Sequence, residues 1–329
     1  MKSNQESRKK PMLIKILIVL LIVLVIRFIL FPPVRTIPVT GEHEIQSIDY
    51  WIDEYKIDPY DKKGNNRQLQ VRKWYPTDST QSNIVFLASH GSCGTIDNNV
   101  SLYRELASHG YTVLAVGHPG QAASVTYKNG NKAHVSGVFM KQLSALDPNT
   151  NPSDAYLIFK EWMKIRIDDL SAVMDDFLEE NPDTNFVVMG HSLGGSAAYA
   201  MARIRSDVVG CIALESPFMY DITGVDENGF IFDESSYNAP LLNIYSDASY
   251  PYLKEWSQYG NNAKFLDSDN PNYTNIHYEG IGHMGLCDLS LVSPVISALL
   301  DRKIQEQNAK EQLIQLNKDC MNWIEEYIK

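Results

Sequence analysis

The stretch FVVMGHSLGGSAA, residues 186–198, passes from a block of branched apolar residues through a serine between glycines into a row of small residues. The apolar block is typical of a buried strand, and residues 195–204 have the pattern of a helix. Gly190-His191-Ser192-Leu193-Gly194 therefore matches G-x-S-x-G at a strand-to-helix turn. We expect small residues on both sides of Ser192 because larger side chains would collide with the adjacent strand and helix.

A serine at such a turn acts as a nucleophile only when neighbouring groups assist it. Its hydroxyl is a poor nucleophile until a base takes the proton and N–H donors hold the oxyanion that forms after attack. The turn itself directs the N–H of Leu193, the residue after the serine, toward that oxyanion. A glycine-rich turn with an inert Ser192 is the alternative, and the remaining partners decide between the two.

The base is expected to be a histidine late in the chain, because the order for this kind of turn is serine, acid, histidine. Of the eight histidines, His277 and His283 follow the last candidate strand positions. His277 falls within the alternating NIHYE segment and is predicted to be a strand side chain. His283, in GIGHMG, lies just past a strand end between glycines and is assigned as the base.

A second oxyanion donor is expected in the loop after an early strand. VFLASHGSCGT, residues 85–95, supplies a His-Gly sequence after a buried apolar block. We assign the backbone N–H of Ser92 as this donor. His90 is predicted to support the loop.

Two carboxylates are candidates for the acid that orients His283. Glu215 ends the predicted strand VVGCIALE, and Asp247 ends the next one, LLNIYSD. The carboxyl ends of parallel strands share one edge of a sheet, so either residue could reach the histidine. The later position is the usual one, and both stay open from the residues alone.

The rest of the chain alternates strand and helix. Strands are predicted over residues 69–75, 83–89, 111–117, 185–190, 208–215, 240–246 and 275–279, and helices over 99–108, 154–180, 195–204 and 293–327. Several strands are apolar on both faces, as strands covered by helices on both sides must be. The prediction is a doubly wound α/β domain with a mostly parallel sheet of about eight strands. Two irregular intervals, 121–152 and 220–238, are predicted to be functional loops.

The N-terminal part differs in charge from the remainder. The first 35 residues carry +6, whereas the rest carries −17. We predict a cytoplasmic basic segment over 1–11, a transmembrane signal anchor over 12–31, a linker over 32–44 and a catalytic domain over 45–329 outside the cytoplasm. A cleaved signal peptide, and hence secretion, is the alternative.

Composition also excludes some partners. An acidic domain without basic runs among aromatics is a poor nucleic-acid binder. The four cysteines form no C-x-x-C pair and no Cys/His ligand cluster, so no structural metal is indicated. Cys93 and Cys287 flank the oxyanion and histidine loops, and two thiols are favoured there over a disulfide. No cofactor is required, and the oligomeric state is left open.

Several segments between about residues 65 and 300 resemble a known family. They are SHG at 89–91, LASHGYTVLAVGHPGQAASVTY at 106–127, the GHSLGG elbow, CIALE at 211–215 and GIGHMGLCD at 280–288. The chain thereby resembles the α/β-hydrolases, and more narrowly the platelet-activating factor acetylhydrolase and dienelactone hydrolase-like family. The resemblance implies Ser192 as nucleophile, His283 as base and Glu215 as acid, although the family has Asp where this chain has Glu.

The expected function is a membrane-anchored serine esterase that works through an acyl-enzyme. The resemblance implies short or oxidised acyl chains on lipid-like alcohols, and a membrane anchor would hold the site near such substrates. A non-catalytic binding protein with the same fold is an alternative, as is an acyltransferase or amidase that uses the same residues.

Overall fold

Eight strands form one sheet in the computed structural model, which describes residues 3–33, 36–78 and 82–328. Their order is β1-β2-β4-β3-β7-β8-β11-β12. The strands of this sheet are β1 (Ile45–Ile57), β2 (Asn66–Pro76), β3 (Ile84–Ser89), β4 (Thr112–Gly117), β7 (Asn185–His191), β8 (Val208–Leu214), β11 (Leu241–Ser246) and β12 (Tyr273–Tyr278). β1 and β2 are antiparallel to their neighbours, whereas β4 to β12 run parallel along the sheet.

Helices lie between the strands, and those predicted over residues 99–108, 154–180 and 195–204 are among them. They are α1 (Ser3–Leu30), α2 (Val100–Ser108), α3 (Gly137–Ala145), α4 (Pro152–Glu180), α5 (Leu193–Ile204), α6 (Gly260–Leu266), α7 (Leu289–Val292), α8 (Pro294–Asp301) and α9 (Ala309–Tyr327). Two hairpins, β5 (Ser124–Thr126) with β6 (Lys132–His134) and β9 (Ile222–Asp226) with β10 (Gly229–Phe232), stand apart from the main sheet.

The sheet separates two apolar cores. In β7, Phe186 and Val188 face a core with α4 and α5, whereas Val187 and Met189 face a second core with α2 and α9. Successive side chains of a strand point to opposite faces, so a strand covered on both faces must be apolar throughout. The predicted architecture, a mostly parallel sheet of about eight strands with helices on both faces, is thereby confirmed.

Some elements of the structure differ from the sequence prediction. β1 is an additional antiparallel edge strand that the sequence analysis did not predict. The irregular intervals contain the two hairpins and α3. The predicted helix over 293–327 is interrupted, because Arg302 adopts a left-handed conformation (φ 53°, ψ 22°) that ends α8.

The N-terminal helix α1 does not meet the expectation for a membrane anchor. Within residues 3–33, 36–78 and 82–328, no helix has both the length and the apolar character needed to cross a membrane. The predicted transmembrane helix over 12–31 is therefore not found. Residues 1–2 of the predicted basic segment and 34–35 of the predicted linker lie outside the described residues. The placement of the domain outside the cytoplasm stays a prediction.

Candidate active site

Ser192 occupies a sharp turn between β7 and α5. Its backbone has φ 56° and ψ −126°, a combination that non-glycine residues rarely adopt. The turn is held by its own N–H, which donates to the carbonyl oxygen of Leu214 on β8 at 2.8 Å. The side chain is half-buried. The turn thus lies at the carboxyl end of β7, directly before α5.

The flanking glycines are required by close backbone contacts. A Cβ on Gly190 would lie 2.3 Å from the carbonyl carbon of Gly194, at the start of α5. A Cβ on Gly194 would lie 2.0 Å from the carbonyl oxygen of Ser89, at the end of β3. Both distances are far below any tolerated contact, so the expected collisions with the strand and the helix are present.

The loop after β3, residues 90–94, packs against this turn, and we call it the oxyanion loop. A Cβ on Gly91 would lie 3.2 Å from Nδ1 of His191 and 3.4 Å from Cβ of Ser192. His90 donates from Nδ1 to the carbonyl oxygen of Gly91 at 2.7 Å, and its Nε2 accepts from the N–H of His118. His90 is buried and supports the loop, as predicted.

The N–H groups of this region fall into two sets. Cys93 donates its N–H to the carbonyl oxygen of Gln121 at 2.9 Å. In contrast, the N–H groups of Ser92 and Leu193 have no acceptor among the described residues. Leu193 is the first residue of α5, so its N–H also lies at the positive end of the helix dipole. These two groups stay the candidate oxyanion donors.

His283 lies beside the serine turn. Its carbonyl oxygen accepts a hydrogen bond from Nε2 of His191 at 2.9 Å, and the two imidazole rings are 4.5 Å apart between centroids. Burial, together with the neighbouring His191, lowers the pKa of His283 well below its usual value. The ring is therefore neutral at pH 7, which is the form that a general base requires. Among the described residues, no hydrogen bond joins this ring to Ser192 or to a carboxylate.

Glu215 directly follows β8 and is almost fully buried. Its backbone is left-handed (φ 53°), and its N–H donates to the carbonyl oxygen of Ile244 at 2.8 Å. Oε2 accepts from the N–H of Ser246, whereas Oε1 has no hydrogen-bond partner in the described part of the chain. Burial raises the pKa of Glu215 to about 7. The hydroxyls of Ser249 and Ser246 act on the same carboxylate and lower its pKa against the effect of burial.

Asp247, the alternative acid, already has other partners. Oδ1 lies 3.0 Å from Nε2 of His277, and Oδ2 accepts from the N–H of Gly280 at 2.9 Å. Tyr250 stacks on the His277 ring at 3.9 Å. His277 is a β12 side chain, as predicted. Asp247 therefore fixes the segment that leads to His283, and its carboxylate is paired with a different histidine.

Two contributors to the site were missed by the sequence reasoning. His191, within the G-x-S-x-G motif, links the serine turn to the histidine loop. Asp301, at the end of α8, accepts the N–H of Met284 at 3.0 Å and so supports the residue after His283. The position of His191 beside Ser192 was a usable signal, whereas nothing near Asp301 in the sequence indicates its role.

Other features of the structure lie away from this site. Three cavities of about 310, 250 and 240 Å³ are lined by residues of α7 to α9, by the α2–α9 surface and by the β1–α4 edge, and none is lined by Ser192 or His283. Cys93 and Cys287 are free thiols. No group of three or more His, Cys, Asp or Glu side chains in the described ranges is arranged to hold a metal ion.

Comparisons with known proteins give a consistent assignment. A family model described as alpha/beta hydrolase fold matches residues 84–242. The chain is 30% identical over 130 residues to a protein of Arthroderma benhamiae named "Probable 1-alkyl-2-acetylglycerophosphocholine esterase". This match covers 39% of the chain and 30% of that relative, so it spans less than a third of the relative's length.

Solved structures resemble the chain over most of its length. A ferulic acid esterase from Streptomyces cinnamoneus superposes with a TM-score of 0.61, at 16% identity over 88% of this chain and 92% of that one. An α/β serine hydrolase homologue from Coxiella burnetii superposes with a TM-score of 0.45, at 16% identity over 80% and 98% of the two chains. At these identities the first superposition shows a shared fold.

Proposed function

The chain belongs to the α/β-hydrolase superfamily, and from that premise we propose that it is a serine hydrolase that cleaves carboxylic esters through an acyl-enzyme. The proposal is carried by one observation: Ser192 stands at a strained turn beside the loop of His283, and His191 bridges the two. Strained backbone persists where the surrounding structure enforces it, and it clusters at functional sites.

The residues have complementary roles in the proposed reaction. Ser192 Oγ attacks the ester carbonyl carbon while its proton passes to His283, and the carbonyl π electrons move to oxygen. The N–H groups of Ser92 and Leu193 donate to that oxyanion. The C–O bond to the alcohol then breaks, and the alcohol leaves with the proton from His283. Water attacks the acyl-enzyme in the same manner and releases the acid and Ser192.

Glu215 is the proposed acid that orients His283. Its Oε1 is buried without a hydrogen bond among the described residues, and it directly follows β8, which pairs with β7, the strand that leads into Ser192. Asp247 is the less favoured alternative because His277 and Gly280 occupy its two oxygens. In the proposed triad the His283 ring turns toward Ser192 and Glu215 when substrate binds, since catalytic hydrogen bonds often form only in the complex with substrate.

For the substrate class we propose short-acyl esters of lipid-like alcohols. The support is the partial match to a protein whose name specifies an acetyl ester of a glycerophosphocholine. A panel of p-nitrophenyl esters of increasing acyl length tests this proposal: turnover should be greatest for acetyl and should fall with length.

The catalytic assignment is tested with Ser192→Ala in the full chain. We expect p-nitrophenyl acetate turnover to fall by at least about 10³-fold, because removal of a triad member eliminates the covalent route. Ser196→Ala, which alters another hydroxyl near the same turn, is the matched control and should retain turnover. Equal hydrolysis by wild type and Ser192→Ala would rule out Ser192 as the nucleophile.

A further inference from the structure

The oxyanion loop is held on both sides of Ser92 by groups outside it. The carbonyl oxygen of His90 accepts from Nη1 of Arg166 at 2.6 Å. On the other side, the N–H of Cys93 donates to the carbonyl oxygen of Gln121 at 2.9 Å. These two contacts leave the N–H of Ser92 between fixed peptide groups and without an acceptor of its own.

A single guanidinium connects the two contacts. Nε of Arg166 donates to Oε1 of Gln121 at 2.6 Å, and Nη1 donates to Oγ of Ser89 at 3.0 Å in addition to its bond to His90. Gln121 is fixed at its other end by Tyr60, whose hydroxyl accepts from Nε2 at 2.9 Å. Arg166 therefore joins the end of β3, the oxyanion loop and the loop after β4 from its place on α4.

The buried position of the Arg166 guanidinium lowers the stability of the folded protein. The side chain is 0% exposed, and its Nη2 has no hydrogen-bond partner in the described part of the chain. Burial lowers the pKa of Arg166 to about 9, so the group is still charged at neutral pH. Asp169, the carboxylate that most raises the pKa of Arg166, is already bound by Arg67 and His118. An incompletely paired buried charge costs stability, so a contribution to stability does not account for it.

We propose that Arg166 is a positioning residue that, through His90 and Gln121, orients the N–H of Ser92 toward the oxyanion of the tetrahedral intermediate. The inference rests on the proposed function. A planar guanidinium with donors in a fixed fork suits this task, because it sets the relative positions of two acceptors rather than one. Donors of an oxyanion hole act through such preorganisation, and a displacement of about 1 Å can cost about 100-fold in rate.

The test compares wild type with Arg166→Gln and Arg166→Lys in the full chain. kcat and KM are measured for p-nitrophenyl acetate and for the thionoacetate in which sulfur replaces the carbonyl oxygen. Sulfur is a weak hydrogen-bond acceptor, so the ester-to-thionoester ratio of kcat reports the oxyanion donors. We expect Arg166→Gln to lower kcat for the ester by about 10- to 100-fold, with KM within about 3-fold, and to lower the ratio. Arg166→Lys should recover part of both.

Arg203→Gln is the matched control. Arg203 is also nearly buried, but it binds Asp221, Asp233 and Ser235 at the far end of α5. Its loss should lower the melting temperature and leave the ester-to-thionoester ratio unchanged. If Arg166→Gln fails to fold, Gln121→Leu decides instead: it keeps the backbone bond to Cys93, removes the bond to Arg166 and should lower the same ratio.

The outcomes separate the two proposals. A wild-type enzyme that depends on Ser192 but whose ratio is unchanged by Arg166→Gln, or by Gln121→Leu, overturns the positioning role alone. A ratio that falls equally in Arg203→Gln also overturns it, because the effect would then be one of general stability. Turnover that does not depend on Ser192 overturns the proposed function and this inference with it.

Discussion

At the scale of single residues, backbone strain is concentrated at the candidate site. Four non-glycine residues in the described ranges have positive φ, and three of them are Cys93, Ser192 and Glu215. They come from three different loops at the carboxyl edge of the sheet. Each left-handed residue costs of order 1 kcal/mol, so the fold must over-determine all three positions. Strain at the proposed nucleophile, the oxyanion loop and the proposed acid indicates one preorganised site.

Glu215→Gln is expected to lower kcat/KM for p-nitrophenyl acetate by about 10²- to 10⁴-fold, because a neutral amide cannot stabilise the imidazolium that forms on His283. Asp247→Asn is the matched control and should stay within about 10-fold, since an amide oxygen can still accept the N–H of Gly280. Steady-state kinetics of both variants decide between the acids. A loss confined to Asp247→Asn would identify Asp247 as the acid.

Glu215→Gln should also be more stable than wild type at high pH. Burial raises the pKa of Glu215 from 4.5 to about 7 in the folded protein. The folded state then binds the proton more tightly, so this group's stabilising contribution is complete below pH 4.5 and is lost as pH rises through 7. Glu215→Gln removes that loss, and its melting temperature should exceed that of wild type more at pH 8 than at pH 5. An equal difference at both pH values would contradict the raised pKa.

At the scale of secondary-structure elements, the contact between α5 and β3 sets the height of the serine turn. Gly194→Ala would place a Cβ 2.0 Å from the carbonyl oxygen of Ser89 and force the helix away from the strand. We expect a loss of about 1–3 kcal/mol in the free energy of unfolding and a larger proportional loss of turnover. Urea unfolding and the p-nitrophenyl acetate assay measure the two effects.

Gly137→Ala is the control for this substitution. Gly137 begins α3, and a Cβ there would meet no atom within 4 Å. Alanine in a helix is favoured over glycine, so the variant should be as stable as wild type or slightly more so. If Gly194→Ala behaved in the same way, the close approach of α5 to β3 would be wrong.

At the scale of the whole molecule, α9 closes the second core from the far end of the chain. Leu316 is 0% exposed and packs with residues of α2 and the sheet, whereas Ile314 on the same helix is 41% exposed. Leu316→Ala should cost about 2–5 kcal/mol in the free energy of unfolding, and Ile314→Ala less than about 0.5 kcal/mol. Denaturant unfolding of both variants tests the packing of α9, and equal costs would contradict it.

The architecture was predictable because the central strands are apolar on both faces. Apolar blocks such as residues 186–189 must lie in a sheet covered on both faces. The glycines around Ser192 indicate a tight turn at the edge of that sheet. The split of the C-terminal helix was not predictable, since Arg302 gives no sign of a left-handed backbone. The expected membrane anchor was not found in the described residues.

The sequence by itself determined the order of strands and helices and singled out Ser192, His283 and the two candidate acids, because local periodicity and glycine spacing are read from neighbouring residues. Only the tertiary structure decided which carboxylate is unpartnered, since Asp247 reaches His277 and Gly280 by way of the sheet register, whereas Glu215 keeps a free oxygen. The link from Arg166 to the oxyanion loop likewise depends on contacts between residues 76 positions apart. Such contacts arise from packing of α4 on the sheet, and no local pattern encodes them.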